Sequence, residues 1–314
     1  MSEQSETAKP SLHGLRTLAF TYLGALGFAA LISPFVYNGI QAWHISAPNG
    51  FTEEVADNSF DEYFDRMRWI WVLICLPWLV KSLGLRGWQA SGLSFKKADW
   101  AAFGAYFLAG IGLLATVAAI RLLTAEFSMS SPFPDRVAKT LLNAILGGLL
   151  VAFLEEYVFR SLIWKAFSLW RAVLGGIFFA SFFFAYTHYK MSDELWNSYT
   201  GNINIMAGLY VAWGTLIGFI YDASFLDFVN LCLLGVWLTL LRLRSDNLAR
   251  SMGLHAGIVF ALLTFVKLIN VEETPLRFFF GGPGLRDGLV SFFVFLLGIS
   301  IEWRKHRCTP TSAN

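Results

Sequence analysis

The chain has 314 residues, of which 56% are apolar and 15% charged, and its mean hydropathy is +0.54. Soluble domains carry about 25% charged residues, so this composition excludes an ordinary soluble protein and indicates a polytopic membrane protein. The net charge of only +2, without a basic cluster away from the membrane flanks, predicts no nucleic-acid partner. Membrane lipid is the expected surrounding.

Nine apolar stretches approach the roughly 20 residues that a transmembrane helix needs. They fall near 17–37, 66–84, 101–123, 139–165, 171–189, 204–221, 225–243, 249–269 and 288–303. The sequence shows no internal repeat. It divides into N-terminal transmembrane helices (1–137), a helical core with the candidate catalytic residues (138–270), and a last helix with a basic tail (271–314). The predicted fold is all-α, a polytopic transmembrane bundle of about eight helices.

Basic residues at the two ends of the chain orient this bundle. Lys9 and Arg16 precede the first stretch, and Arg304, Lys305 and Arg307 follow the last. Positive charge favours the cytoplasmic side, so both termini are predicted to be cytoplasmic in a cell membrane. Nine crossings cannot place both termini on one side. We therefore expect the segment 204–221, or its neighbour, not to cross, which leaves eight crossings.

Two adjacent carboxylates, Glu155 and Glu156, lie inside the apolar run from Leu141 to Trp164. A charged side chain at the bilayer centre costs about 3 kcal/mol on insertion scales and marks a functional site by default. Arg160 follows Glu156 by four residues, which is the spacing of a helical ion pair. This spacing predicts a pair between Arg160 and Glu156 and leaves Glu155 for chemistry.

Two histidines, His188 and His255, also lie at membrane depth. A hairpin turning near Leu169 would bring His188 to within about 7 Å of the depth of Glu155, and Phe184 shares a helix face with His188 at i,i+4 spacing. Structural interpretations stay open: a glutamate–arginine clamp, an interfacial His188, or a helix-packing His255.

A carboxylate and two imidazoles that face one cavity support two mechanisms. In one, Glu155 is the general base that activates a water, and His188 and His255 hold the water or stabilise the oxyanion. In the other, the histidines and a glutamate bind zinc, which acidifies the water. Spacing does not separate the two, although the commonest zinc-protease pattern, His-Glu-x-x-His, is absent from the sequence.

These residues resemble, in order, the three motifs of the CPBP intramembrane proteases, which include type II CAAX prenyl endopeptidases and bacteriocin-processing proteins. The motifs are Glu155-Glu156-x-x-x-Arg160, Phe184-x-x-x-His188 and a glycine-rich helix with His255, and the resemblance covers roughly residues 138–268.

The resemblance implies an endopeptidase that cleaves a membrane-anchored or prenylated, CAAX-like peptide or protein. It implies Glu155 as the base, Glu156 and Arg160 as its supports, and His188 and His255 as the water- or oxyanion-binding pair. We assign substrate binding to Phe184. No metal or other cofactor is expected, and zinc is the runner-up.

The sequence departs from the family pattern in two places. The family usually has asparagine four residues after the last histidine, where this chain has Val259. Valine donates no hydrogen bond, and loss of one oxyanion donor costs about 10²–10³ in rate. The second departure is the extra stretch 204–221 between the two histidine motifs. Two alternatives remain: a catalytically impaired membrane scaffold of the same fold, and a proton-coupled transporter that uses Glu155, Glu156 and Arg160 as a relay.

Overall fold

A computed structural model describes residues 12–123, 127–129, 137–271, 276–282 and 286–308. The described residues are mostly helical. In chain order the elements are α1 (Leu12–Ser46), α2 (Gly50–Ala56), α3 (Phe60–Ser82), α4 (Gly87–Ala90), α5 (Lys97–Leu123), β1 (Phe127–Met129), α6 (Val137–Glu156), a π-helix (Tyr157–Ile163), α7 (Trp164–Tyr186), α8 (Asp193–Asn197), α9 (Ile205–Asp222), α10 (Phe225–Ser245), α11 (Ala249–Leu268), β2 (Ile269–Val271), α12 (Arg277–Phe280) and α13 (Leu289–Cys308).

Each of the nine predicted apolar stretches is helical, which confirms the predicted class of a helical, polytopic membrane protein. Six described helical segments are long and apolar enough to cross a membrane. They are Leu12–Ser46, Lys97–Arg121, Val137–Tyr186, Ile205–Asp222, Phe225–Ser245 and Ala249–Lys267. Helix α9, which we expected not to cross, qualifies by length and composition, whereas α3 and α13 are not among the six. The count of eight crossings stays a prediction.

The chain reverses direction inside α7, within the segment Val137–Tyr186. Arg171 (φ −129°, ψ 25°) and Ala172 (φ 62°, ψ −178°) have non-helical backbone angles. Phe167 stacks on Phe179 with ring centroids 4.4 Å apart, whereas in one continuous helix residues twelve apart are separated by about 18 Å. This reversal is the hairpin predicted near Leu169.

The chain forms two compact units that interleave along the sequence. The first consists of Met1–Gly84 with Tyr186–Ala223, and the second of Leu85–Ala185 with Ser224–Asn314. The predicted division at residues 137 and 270 follows chain order instead, and it stays a prediction.

In the first unit, α1 packs against α3 and α9. Small residues allow the close approach of α1 and α9, because a Cβ atom at Gly208 would collide with the backbone carbonyl of Ala30. The buried core of this unit consists of Leu26, Ala29, Ala30, Phe60, Phe64, Met191, Ala207 and Val211. Asp65 on α3 pairs with Arg68 at 3.0 Å and also with Lys190. The pair with Lys190 links the two sequence segments that form this unit.

In the second unit, α11 is the central helix and packs against α5, α6 and α10, while α13 packs on α10. The strands β1 and β2 pair antiparallel, with Phe127 opposite Val271 and Met129 opposite Ile269. The sequence analysis predicted no strand. This short sheet links the segment after α5 to the end of α11, so it joins two helices that already pack together.

The contact of α11 with α5 depends on glycine. Added Cβ atoms at Gly253 and Gly257 would collide with the carbonyls of Phe103 and Phe107, and one at Gly110 would lie 2.5 Å from the Leu254 carbonyl oxygen. Small residues at helix interfaces let the backbones approach closely in membranes. Gly253 and Gly257, which flank His255, therefore allow α11 to pack directly against α5.

We expect Gly257→Ala to lower the free energy of unfolding by about 1–3 kcal/mol, the usual cost of overpacking. Thermal unfolding in detergent measures the change. Gly112→Ala on α5 is the matched control, since a Cβ atom there meets nothing within 4 Å. Equal stability of the Gly257→Ala variant and wild type would contradict the close contact of α5 and α11.

Candidate active site

Helix α6 ends at the two adjacent glutamates, which lie on different faces of the helix. Ala144, Gly148, Ala152 and Glu156 are the buried residues of α6, one every four positions, so they form one face. The small residues of this face allow α11 to approach closely, since a Cβ atom at Gly148 would lie 3.0 Å from the Ala256 carbonyl oxygen. Glu156 points into this interface, whereas Glu155 lies about 100° around the helix.

A π-helix, Tyr157–Ile163, begins directly after the glutamates. Such segments are rare and occur frequently at functional sites. Its wider turn contains Arg160, whose side chain is fully buried. The sequence analysis did not predict this element, because Tyr-Val-Phe-Arg-Ser-Leu-Ile has the same apolar pattern as an ordinary helical turn.

Glu156 is the centre of a buried polar cluster. Nδ1 of His255 donates a hydrogen bond to Oε1 of Glu156 at 2.9 Å, and Nη1 of Arg160 lies 3.4 Å from the same oxygen. Relative exposure is 0% for Glu156, 0% for Arg160 and 3% for His255. The predicted pair between Arg160 and Glu156 is thus present, and the same carboxylate also orients the imidazole ring.

Glu155 lies on the other side of the imidazole. Its Oε2 is 3.8 Å from Nε2 of His255, which is longer than a hydrogen bond. Within the described residues this oxygen is buried and accepts no hydrogen bond. Buried carboxylate oxygens are normally paired. An oxygen atom at about 2.8 Å from each of these two atoms would bridge them with ordinary hydrogen-bond lengths.

Phe184 fixes the two basic members of the cluster from α7. The Arg160 guanidinium lies over its ring at 4.3 Å from the centroid, and the His255 ring meets it edge-on at 5.7 Å. Phe159 adds a further edge contact at 5.4 Å. Because the Phe184 side chain is fully buried, this arrangement favours a positioning role over the substrate contact predicted from sequence.

His188 belongs to the first unit, whereas Glu155, Glu156, Arg160, Phe184 and His255 belong to the second. Its predicted position beside Glu155 therefore stays a prediction. The prediction that His188 shares a helix face with Phe184 is wrong, since α7 ends at Tyr186 and His188 lies in the following turn.

The zinc alternative requires more ligands than this cluster offers. Among the described ranges, no group of three or more His, Cys, Asp or Glu side chains is arranged to hold a metal ion. Nε2 of His255 and Oε2 of Glu155 face each other, whereas catalytic zinc sites use three protein ligands. The described part of the second unit offers these two facing groups, and the expectation that no metal is needed stays a prediction.

The fold and this cluster define a polytopic α-helical membrane protein with carboxylates and an imidazole buried between its helices. Residues 137–261 match the family model described as Type II CAAX prenyl endopeptidase Rce1-like. This segment is similar to that family, which supports the resemblance to the CPBP proteases and indicates a peptidase. All six candidate residues lie within it. Comparisons with curated proteins and with solved structures found no match.

We expect Glu156→Gln and Glu155→Gln to differ in stability. The first variant leaves the fully buried Arg160 without its charge partner, which costs about 3–5 kcal/mol, whereas the second removes no ion pair of Arg160. Unfolding in detergent measures the difference. The free energy of unfolding should fall clearly for Glu156→Gln and by about 1 kcal/mol or less for Glu155→Gln. A larger loss for Glu155→Gln would mean that the two glutamates have been assigned the wrong roles.

Proposed function

We propose that this protein is a glutamate-dependent intramembrane endopeptidase, with Glu155 as the general base. One observation carries the proposal: Oε2 of Glu155 and Nε2 of His255 face each other at 3.8 Å, while the opposite ring nitrogen is held by Glu156. A water between these two atoms meets a base on one side and an imidazole of fixed orientation on the other. The peptidase family of residues 137–261 supports the same reaction.

The proposed step begins with a water that donates one proton to the Glu155 carboxylate. The water oxygen then adds to the carbonyl carbon of the scissile peptide bond, and the carbonyl oxygen becomes the oxyanion. When the C–N bond breaks, the proton on Glu155 passes to the leaving amine, so that the carboxylate is restored. In this step His255 donates from Nδ1 to Glu156, and its Nε2 faces the water and the developing oxyanion.

Glu156, Arg160 and Phe184 act in this proposal as positioning residues. Glu156 selects the ring orientation of His255 through the 2.9 Å hydrogen bond. Arg160 compensates the charge of Glu156 at 3.4 Å, and the Phe184 ring packs against both Arg160 and His255. His188 is proposed as the second water- or oxyanion-binding residue.

The proposed substrate is a membrane-anchored or prenylated, CAAX-like peptide or protein, which reaches the site from the surrounding lipid. The family description of residues 137–261 supports this class. We propose that both termini face the cytoplasm of a cell membrane. The positive-inside rule favours the same side for the basic residues at the end of α10 and the start of α11, which are Arg242, Arg244 and Arg250.

We expect Glu155→Gln to reduce cleavage of a quenched, prenylated peptide by about 10²–10⁴, the usual contribution of general base catalysis. The change preserves size and removes only basicity. Glu62→Gln, in an exposed pair with Arg66, is the control and should cleave normally. Wild-type cleavage should also persist in 1,10-phenanthroline, and loss of activity there would favour zinc. Undiminished cleavage by Glu155→Gln would exclude the proposed base.

Val259 generates a separate expectation, because it lies one helical turn after His255 and offers no hydrogen-bond donor. Val259→Asn should raise the turnover number by about tenfold or more, since an added oxyanion donor is worth up to about 10²–10³. Val259→Ala also removes the valine methyl groups but adds no donor, and it should show no gain. Absence of cleavage in both wild type and Val259→Asn would favour the scaffold alternative, for which Val259 is the supporting observation.

A further inference from the structure

The turn that carries His188 lies in the first unit and outside any helix. Helix α7 ends at Tyr186, and α8 begins at Asp193. A hydrogen bond from the Tyr189 amide to the Tyr186 carbonyl at 3.2 Å closes the turn. Because the hydrogen-bond ladder of a helix does not fix residues 187–191, which we call the His188 turn, contacts with other elements must fix them.

Helix α9 packs against the His188 turn through two glycines. Gly214 and Gly218 are four residues apart and share one face of this helix. A Cβ atom at Gly218 would collide with the backbone carbonyl of Lys190, and one at Gly214 would collide with the side chain of Met191. The backbone of the turn therefore lies directly on α9, and Gly218 leaves no room there for a side chain.

Aromatic residues on both sides of His188 also contact α9. The Tyr186 hydroxyl donates a hydrogen bond to the Leu216 carbonyl at 2.8 Å. The Tyr189 ring meets the Phe219 ring edge-on, with centroids 5.4 Å apart, and Tyr189 is buried. The chain is thus fixed to α9 both before and after His188.

A charge pair ties the same turn to α3. The Asp65 carboxylate pairs with the Lys190 ammonium and, at 3.0 Å, with Arg68. The Lys190 side chain is 55% exposed, so this pair contributes little to the free energy of unfolding. Its main consequence is the position of the residues next to Lys190, which include His188.

We propose that Gly218 of α9 and Asp65 of α3 are positioning residues for His188. The inference rests on the proposed function, in which His188 is the second water- or oxyanion-binding residue. It also gives a role to α9, the stretch 204–221 that departs from the family pattern. Direct backbone packing on α9 replaces the helical hydrogen bonds that the His188 turn lacks. Misplacement of a catalytic group by about 1 Å can cost about 10² in rate.

Gly218→Ala tests this packing, and Gly208→Ala is its matched control. Each adds one methyl group to α9 where it meets a backbone carbonyl, that of Lys190 in the first case and that of Ala30 in the second. Both variants should be less stable than wild type. Only Gly218→Ala should lower the turnover number, by about 10- to 100-fold, with KM nearly unchanged. Equal losses of turnover in both variants would overturn the inference.

A double-mutant cycle with His188→Ala separates positioning from a general loss of packing. In the His188→Ala background, Gly218→Ala should reduce cleavage by less than about twofold, because the side chain that it displaces is already absent. A reduction as large as in wild type would overturn the inference and leave the proposed function intact. Full activity of His188→Ala alone would instead refute the role of His188 in the proposed function.

A measurement without substrate decides the matter if Gly218→Ala does not fold or wild type does not cleave. The NMR signal of the His188 ring, in protein with isotope-labelled histidine, is assigned by its loss in His188→Ala. Asp65→Asn, which keeps the contact with α9, should shift this signal and lower turnover about threefold or more. Glu62→Gln on the same helix, in an exposed pair with Arg66, should do neither.

An unchanged His188 signal in Asp65→Asn would overturn the inference, as would an equal shift in Glu62→Gln. A shift confined to Asp65→Asn, together with no cleavage by wild type, would refute only the proposed function.

Discussion

The carboxylate of Glu156 is the constraint on which the second unit depends. It lies without solvent exposure between Arg160 at 3.4 Å and His255 at 2.9 Å. Burial of a single charge in such surroundings is costly, and it is tolerated when charge and hydrogen bonds are supplied together. Because Arg160 comes from the π-helix and His255 from α11, the same carboxylate fixes the relative position of both elements. The imidazole orientation that the proposed hydrolysis uses is a consequence of this burial.

Close helix packing makes that geometry possible. His255 reaches Glu156 only because the α6–α11 and α5–α11 interfaces are lined by small residues, with Gly148 on α6 and Gly253 and Gly257 on α11. Lipid provides little hydrophobic force between helices, so association depends on such contacts and on polar bonds across them. Packing and polar pairing therefore reinforce each other: the glycines bring the backbones together, and the Glu156–His255 bond is made at that interface.

Features set by sequence spacing were predictable, and features set by tertiary context were not. Hydropathy located the nine long helices of the described residues, and the i,i+4 spacing of Glu156 and Arg160 predicted their pair. The hairpin near Leu169 followed from two apolar stretches separated by a short polar break. The π-helix could not be predicted, because its sequence has the pattern of an ordinary α-helix. Its residues make tertiary contacts, such as Arg160 over the Phe184 ring, that sequence spacing does not reveal. The end of α7 at Tyr186, before His188, was equally hidden in a continuous apolar-aromatic run.

Glu155 and Glu156 are adjacent in sequence but lie in different environments. This difference supports the different roles proposed for them. Being about 100° apart on one helix, they meet the His255 ring at different nitrogens. Oε1 of Glu156 contacts both Arg160 and His255, so this carboxylate is held in place, although its Oε2 is also buried without a hydrogen bond among the described residues. Glu155 keeps 17% exposure and a buried oxygen without a hydrogen bond among the described residues, so it can still accept one. The proposed role of each carboxylate follows from its environment. In the proposed mechanism the doubled glutamate joins a fixed structural charge to a reactive one, with His255 between them.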